Sequence, residues 1–374
     1  MKQDKNKRVL LVGGGTGGHA IPVLELYQKL EEDGKVSPLI IGSNSSVDRE
    51  IFSKIKNYQV IITGKLHRRF TLMNIWEGVK FIVGMIQSYF YLTKYKPDLI
   101  FSKGGYVSVP VLKMAQIFQI PVMIHESDTE MGMANKLASN IAKKIFVGFS
   151  CDNYNHLPKE KLIYSGQILR RKLFEKNQGE LSNFGFVEKK PTILLTGGSQ
   201  GSHNLNISLF QSLPDLLKSY NVIHQTGKDD FSQAFTLKEQ LSLDEKRRYY
   251  ITEFLELEKN SIMDALRISD LVVGRAGANS IAEFALMGKA MILIPYQYAA
   301  GDHQSKNAEV MKENRAAVVI PDAKLSRRVL TEAIKKVIDN KTKRNMLSRN
   351  AKDLFPKNGL NLIIRHIYKE LDLT

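Results

Sequence analysis

Two stretches of this chain begin almost alike, with an apolar run leading straight into glycines: VLLVGGGTGGH at 9–19 and ILLTGGSQGSH at 193–203. Short runs rich in Val, Ile and Leu recur behind each. The first series lies at 8–12, 38–41, 58–62, 98–102, 121–125, 144–148 and 161–165, and the second at 192–196, 221–225, 249–253, 270–274, 290–294 and 316–320. Helix-length segments such as 262–268 and 281–287 separate them. Near-continuous apolar strands alternating with helices are the pattern of a parallel sheet covered on both faces. The alternation happens twice, which predicts two doubly wound α/β domains of about 170 residues each. The connection 173–190, polar from Glu175 on and carrying the run NQGE, reads as a linker between domains 1–172 and 191–356. Ligands of open parallel sheets gather at the carboxyl ends of the strands, so the active site is expected in a cleft between the two sheets.

With 43% apolar and 25% charged residues, the chain has material for sizeable cores and does not fit a disordered, collagenous or disulfide-built class. Cys151 is the single cysteine, which points to a reducing compartment and to a thiol used as packing. Behind the basic start MKQDKNKR, the apolar run 9–12 is too short for a signal-peptide core, so cytoplasmic residence is expected. The uncharged stretch 81–93 would be a helix of about 20 Å, short of a hydrocarbon core of about 30 Å. Lysine and arginine number 54 against 38 acids, a net charge of +16 that suits a polyanionic ligand or an anionic membrane surface.

Gly13, Gly15 and Gly18 form G-x-G-x-x-G between a strand and a helix, where backbone amides and the helix dipole can meet a phosphate. A dinucleotide site would also need an acid closing the second strand. Asp48 is the nearest and poorly placed, which makes NAD the minor reading. His19 opens the following helix, where the positive dipole end favours a neutral imidazole and hence a base, unless it merely packs the turn. Second and third glycine turns follow strands at Gly104-Gly105-Tyr106 and Gly197-Gly198-Ser199-Gln200-Gly201. One such turn could be a plain connection, but three favour a phosphate or sugar ligand. In GRAGANSIAEF, Ala278, Asn279 and Ser280 offer helix-terminal amides to a pyrophosphate, and Glu283 can accept from both ribose hydroxyls or simply complement the helix dipole. The segment from Gly301 to Asn307 carries side chains suited to sugar hydroxyls, and His125-Glu126-Ser127-Asp128 closes another strand. No HExxH, CxxC or G-x-x-x-x-G-K-[ST] pattern occurs, so no metal site is expected.

Residues 72–86 carry Leu72, Ile75, Val79, Ile82, Val83 and Ile86 at helical spacing, with Trp76 beside them. Around them, residues 65–103 hold seven basic side chains (Lys65, Arg68, Arg69, Lys80, Lys94, Lys96 and Lys103) against Glu77 and Asp98. That is either a peripheral membrane contact or a core-facing helix with a basic rim.

Taken in order and spacing, GGGTGGHAIPVLEL, SKGGYVSVP, HESDTEMGMANK, LLTGGSQGSHNLN and GRAGANSIAEF resemble the MurG family, the UDP-N-acetylglucosamine:undecaprenyl-pyrophosphoryl-muramoyl-pentapeptide N-acetylglucosaminyltransferases. The resemblance runs from about Arg8 to the last helix. It implies a GT-B fold of two Rossmann-like domains, an N-terminal acceptor domain and a C-terminal UDP-GlcNAc domain, with a helix at about 357–374 packing back on the first. It also implies inverting transfer of GlcNAc to lipid I, giving lipid II for peptidoglycan synthesis and so for cell shape and division. No cofactor is required beyond the donor, and the enzyme would sit on the cytoplasmic side of the membrane. Residue by residue, Thr16, Gly17 and Gly18 match the first glycine loop, Arg170 a donor-contacting arginine, and Ser199 the serine of the third loop. Leu255 matches an apolar residue near uracil, Ala278, Asn279, Ser280, Ile281 and Ala282 the phosphate loop and helix start, Glu283 the ribose acid, and Gln304 a sugar contact. His125-Glu126-Ser127-Asp128 and Gly166-Gln167-Ile168-Leu169-Arg170 depart from the common His-Glu-Gln-Asn and Gly-Asn-Pro-x-Arg.

His19 is the first candidate for the base that takes the acceptor's proton, with Asp128 and Glu126 behind it. The surface around Ile75, Trp76, Val79 and Lys80 is the expected membrane dock. Another GT-B nucleotide-sugar enzyme, an epimerase included, and a basic nucleic-acid-binding protein are the rival readings, the last without a recognised nucleic-acid motif.

Overall fold

The computed structural model describes residues 7–64, 73–175, 179–198, 200–255, 261–298 and 300–373, the side chains of 73–75 and 300 excepted. Its strands form two sheets. The first contains β1 (Lys7–Gly13), β2 (Val36–Ser43), β3 (Tyr58–Ile61), β4 (Leu99–Gly104), β5 (Val122–Glu126), β6 (Lys144–Val147) and β7 (Leu162–Tyr164), ordered β3-β2-β1-β4-β5-β6-β7. The second contains β8 (Thr192–Thr196), β9 (Asn221–Gln225), β10 (Tyr249–Thr252), β11 (Leu271–Gly274), β12 (Ala290–Leu293) and β13 (Val318–Val319), ordered β10-β9-β8-β11-β12-β13. The strand pairs are all parallel.

Side chains alternate across β1. Val9 and Leu11 pack with Val23, Leu26 and Leu30 of the helix Gly17–Asp33, whereas Leu10 and Val12 pack with Val111 and Ala115 of the helix Ser108–Ile117 on the other face. Both faces are dry, which is why the strands read as unbroken apolar runs. In the second sheet, Ile193 and Leu195 of β8 lie in one cluster with Leu209 and Leu213 of the helix His203–Leu216 and with Leu330 and Ile334 of the helix Arg327–Ile338.

The chain divides into a first unit, Met1–Arg170 with Pro356–Thr374, and a second, Arg171–Phe355. In the first unit, the helix Gly359–Glu370 buries Ile363 and Ile367 against the cluster that holds Val9 and Leu11, and Tyr368 Oη donates to Asp33 Oδ2 at 3.0 Å. The expected linker 173–190 differs from its sequence reading. Leu173, Phe184 and Phe186 are buried, Phe184 meets Tyr250 edge-on at 5.0 Å, and Gly179 lies against the turn of chain holding Asp264, Arg267 and Ile268. These three apolar anchors outweigh the polar residues around them, so the described residues of the segment pack as part of the second unit.

Candidate active site

In each sheet the strand order reverses at one point, between β1 and β4 in the first and between β8 and β11 in the second. Ligands of such sheets bind at that point, beyond the carboxyl ends of the strands. In the first unit the two glycine turns there fit into each other. Gly105 has φ +84°, and a Cβ on it would come within 2.8 Å of Gly14 O and 3.5 Å of His19 Nδ1. Any larger residue would drive the turns apart.

Asp48, dismissed in the sequence as a misplaced ribose acid, sits beneath the first turn with no exposed surface. Its carboxylate accepts from Gly15 N at 2.7 and 2.9 Å, from Ser43 N at 2.7 Å and from Ser43 Oγ at 2.6 Å. The position follows from Ser45, which caps the helix Ser46–Phe52 by accepting from Asp48 N. An acid three residues past a helix N-cap is a common arrangement, and here it ties the loop down. Of the matched residues, Thr16 and Gly18 are exposed and Gly17 is half-exposed at the helix start. His19 is half-exposed, with Nδ1 2.9 Å from Thr16 Oγ1.

At the end of β5 the two acidic candidates separate. Glu126 is buried, its Oε1 accepts from Asp128 N, and its Oε2 accepts from Gly132 N and from Asn135 Nδ2 at 2.9 Å each. Burial pushes its carboxyl upward, with Asp128 adding to the push. Glu126 is therefore corrected from candidate base to the group that shapes the turn. Asp128 stays partly exposed, and its carbonyl accepts from Tyr154 Oη. His125 is fully buried with Nε2 2.9 Å from Gly166 O, and burial, then Lys103, hold it well below the ordinary imidazole range. Gln167 donates to Ser127 O at 2.6 Å. Lys103, counted in the sequence among surface cations, is 1% exposed and donates to Ser127 Oγ.

In the second unit, Ser199 lies outside the described residues. Gly198 O accepts from Gln225 Nε2 at 2.7 Å, and Gln225 Oε1 accepts from Leu255 N at 3.3 Å, so one side chain at the end of β9 joins the third glycine turn to Leu255. Gln225 was missed in the sequence because nothing local distinguishes it from any polar residue closing a strand. After β11, the helix Ala278–Leu286 begins at Gly277, with Asn279 and Ser280 half-exposed and Ala278 nearly buried. The side chains of Ile281 and Ala282 are fully buried, and Ile281 N donates to Gly277 O inside the helix, so their side chains serve the packing of the helix. Glu283 is buried in the second turn of this helix, past the reach of the first-turn dipole effect. Arg275, next to this loop, is tied to Asp322 at 2.6 Å and lies 5.4 Å from the Tyr296 ring. Gln304 Oε1 accepts from Tyr296 N at 3.0 Å, which sets the direction of its amide. Arg170 is half-buried and ends the first unit. Among the described residues, no group of three or more His, Cys, Asp or Glu is arranged to hold a metal.

The helix Met73–Tyr95 faces the opposite way from an ordinary amphipathic one. Its inner face is Gly84, Ser88 and Leu92, with Gly84 against Pro110, while Trp76 is 69%, Ile82 59% and Phe90 62% exposed. Val79 and Ile86 are exposed on the same side, and Ile117 and Phe118 of the neighbouring segment extend the patch, with the Tyr89 and Phe118 rings 5.6 Å apart. Lys80 is exposed and paired with Glu77 at 2.8 Å; the side chain of Ile75 lies outside the description. No described helix is long and apolar enough to cross a membrane.

The N-terminal domain of glycosyltransferase family 28 matches residues 9–147, and its C-terminal domain matches 192–363. A Bacillus cereus UDP-N-acetylglucosamine--N-acetylmuramyl-(pentapeptide) pyrophosphoryl-undecaprenol N-acetylglucosamine transferase is 36% identical over 365 residues, covering 96% of this chain and 99% of its own. A Clostridium tetani transferase of the same name is 34% identical and covers 97% of this chain and 98% of its own. The crystal structure of Acinetobacter baumannii MurG superposes with a TM-score of 0.74 at 23% identity, over 97% of this chain and 99% of that one. A putative UDP-N-acetylglucosamine 2-epimerase from Listeria monocytogenes reaches 0.72 at 14% identity, over 97% and 96%, so fold likeness alone does not separate transferase from epimerase. Sequence does: with two parallel-sheet units of GT-B type and relatives matched along nearly their whole length, the chain belongs to the MurG branch of glycosyltransferase family 28.

Proposed function

We propose that the chain transfers GlcNAc from UDP-GlcNAc to the MurNAc 4-hydroxyl of lipid I, with inversion, to give lipid II. The match to transferases of that name over 96% of the chain carries the reading. The second unit serves the donor: Glu283 takes the ribose hydroxyls, the amides at Ala278, Asn279 and Ser280 take the pyrophosphate, Leu255 lies by the uracil, and Gln304 meets the sugar. Ser199 and Arg170 join them on the strength of the motif match. The first unit serves the acceptor. Its 4-hydroxyl attacks C1 of GlcNAc while the bond from C1 to the UDP oxygen breaks, and negative charge builds on the departing pyrophosphate. Helix-terminal amides and Arg170 stabilise that charge in this reading, with no resident metal or other cofactor.

His19 receives the hydroxyl proton. It stands at a strand end between two glycine turns, with Nδ1 2.9 Å from the neutral Thr16 hydroxyl. Asp128 is the alternative base, being partly exposed where Glu126 is not. The exposed face of the helix Met73–Tyr95 docks on the cytoplasmic surface of the membrane, where the undecaprenyl tail of the acceptor remains. Its apolar area is the supporting observation, since large exposed apolar patches mark contact surfaces.

Incubation with UDP-GlcNAc and a lipid I analogue tests the reaction: disaccharide product and UDP in equal amounts are expected, and release of an epimerised sugar without transfer would overturn it. His19→Ala should lower turnover by about 10²- to 10⁴-fold with UDP affinity nearly intact. Near-normal turnover would remove His19 as the base.

A further inference from the structure

Lys103 has no part in the reading above, yet the fold goes to some length to place it. In the β1–β4 ladder Val12 lies opposite Ser102 and Gly13 opposite Gly104, so Lys103 is an extra residue on β4 at its carboxyl end. Bulges of this kind re-aim a side chain. Here the side chain turns inward, 1% exposed, with its Cβ 3.0 Å from where a Cβ on Gly13 would stand. The ammonium donates to Ser127 Oγ. Charged and titratable groups meet it from several sides: His125, Glu126 and Asp128 from β5 and the turn after it, and Tyr154 Oη behind Asp128 through its carbonyl. On the β1 side lies Gly13, with the backbone carbonyl of His19 beyond it. An apolar residue could fill the same space without the desolvation that a buried ammonium suffers.

We propose that Lys103 is a positioning residue for the transfer: from the β4 bulge, its buried ammonium holds the Ser127–Asp128 turn in the arrangement that the acceptor hydroxyl meets. The proposal rests on the acceptor reading of the first unit given above. Burial pulls Lys103 down to about 8, against the opposing pull of Glu126 and Asp128. The ammonium is therefore intact at neutral pH and is lost as pH rises through 8, so turnover should fall on the alkaline side.

The test is kcat and KM between pH 6 and 10 for the full chain, with UDP-GlcNAc and a lipid I analogue, alongside melting temperatures. The wild type should lose turnover near pH 8. Lys103→Arg should keep most activity and move that fall upward by more than one unit, because guanidinium stays charged. Lys103→Met should lower kcat by about 10- to 100-fold and abolish the alkaline fall, with donor KM within about twofold. Ser127→Ala removes a bond to the charged form and should move the fall to lower pH, which keeps the proposal testable if Lys103→Met fails to fold. Asp128→Asn combined with Lys103→Met should be no worse than the poorer single variant, since both act through one turn. A wild type inactive on lipid I sinks the reading of function. An active wild type whose Lys103→Arg, Lys103→Met and Ser127→Ala variants share its pH profile sinks the role of Lys103 alone.

Discussion

The turns after β1 and β8 are written in nearly the same residues, yet they are held in electrically different ways. Under the first, the Asp48 carboxylate takes the Gly15 amide. Under the third, the amide of Gly198 donates to Thr196 Oγ1, and the acid of the next helix, Asp230, reaches past the turn to Asn206 Nδ2 at 2.6 Å and His203 Nδ1 at 2.8 Å. The two histidines that close the motifs differ accordingly. His19 lies against a neutral hydroxyl and His203 against a carboxylate. A glycine spacing thus specifies the shape of a turn and leaves its charge to a residue some thirty positions downstream. The first turn is tied to an acid and the third to a neutral hydroxyl, in keeping with the acceptor and donor roles proposed above.

Asp48→Ala is the hardest blow to this contrast. It strands the Gly15 amide, the Ser43 amide and the Ser43 hydroxyl in a buried place, and should cost about 3 kcal/mol of stability with a deep loss of turnover. Asp230→Ala releases a His203 that is 69% exposed and an Asn206 amide that keeps its bond to Thr226 O, and should cost less than half of that. Denaturant unfolding of both variants checks the difference, and equal losses would show that the two acids do the same work.

Glu283→Ala comes next in size and touches only the donor side. Losing two charge-assisted hydrogen bonds to a ribose should weaken UDP-GlcNAc binding by about 10- to 100-fold while leaving acceptor KM alone. Calorimetric titration with UDP decides it, and unchanged affinity would argue against the ribose assignment.

Most of the strand pattern and the glycine turns was legible because buried parallel strands are apolar throughout and turns with positive φ favour glycine. What escaped was long-range. Asp48 is 33 residues from the amide it holds, and its role exists only once β2 lies beside β1. Lys103 looked like one more basic residue because a bulge is a property of the pairing and not of the strand. Spacing correctly placed an apolar face on the helix Met73–Tyr95, but only its neighbours decide which face is inward, and Gly84 and Ser88 permit closer approach than the larger residues opposite. The linker was different. Phe184 and Phe186 are buried anchors that the sequence itself displays, within a stretch whose composition is otherwise polar.

Each unit also keeps one neutral histidine deep in its sheet, His125 in β5 and His224 in β9, and here the two should behave alike. His224 lies between Tyr249 Oη at 2.8 Å and Asn206 Oδ1 at 3.0 Å, and burial pulls it down to about 3. Below about 6.5 the unfolded chain takes up a proton that the folded one refuses, so stability drains as pH falls from there toward 3. Between pH 7 and 5 that amounts to about 2 kcal/mol for His224. His224→Gln should flatten the acid slope of one unfolding transition and leave the contribution of His125 in place. Scanning calorimetry across pH follows this, and an unchanged slope would remove His224 as its source.

The smallest effect concerns the exposed apolar face of the helix Met73–Tyr95 in the first unit. Trp76 and Val79 occupy consecutive turns of a helix whose inner face is already filled by Gly84, Ser88 and Leu92, so replacing both by serine removes no core contact. Stability should therefore stay within about 0.5 kcal/mol. Affinity for vesicles containing anionic lipid should fall by about tenfold, as the lost apolar area would have entered the interface. Raising salt should weaken the wild type further, since the flanking cations act through a screened field. Lys80 contributes little to that salt effect because Glu77 already neutralises it, which leaves Lys94 and Lys96 at the other end of the helix as the cations whose removal should matter more. Co-sedimentation of Lys80→Ala beside a Lys94→Ala and Lys96→Ala double variant reads this order, and a larger loss from Lys80→Ala would place the membrane contact at the opposite end of the helix.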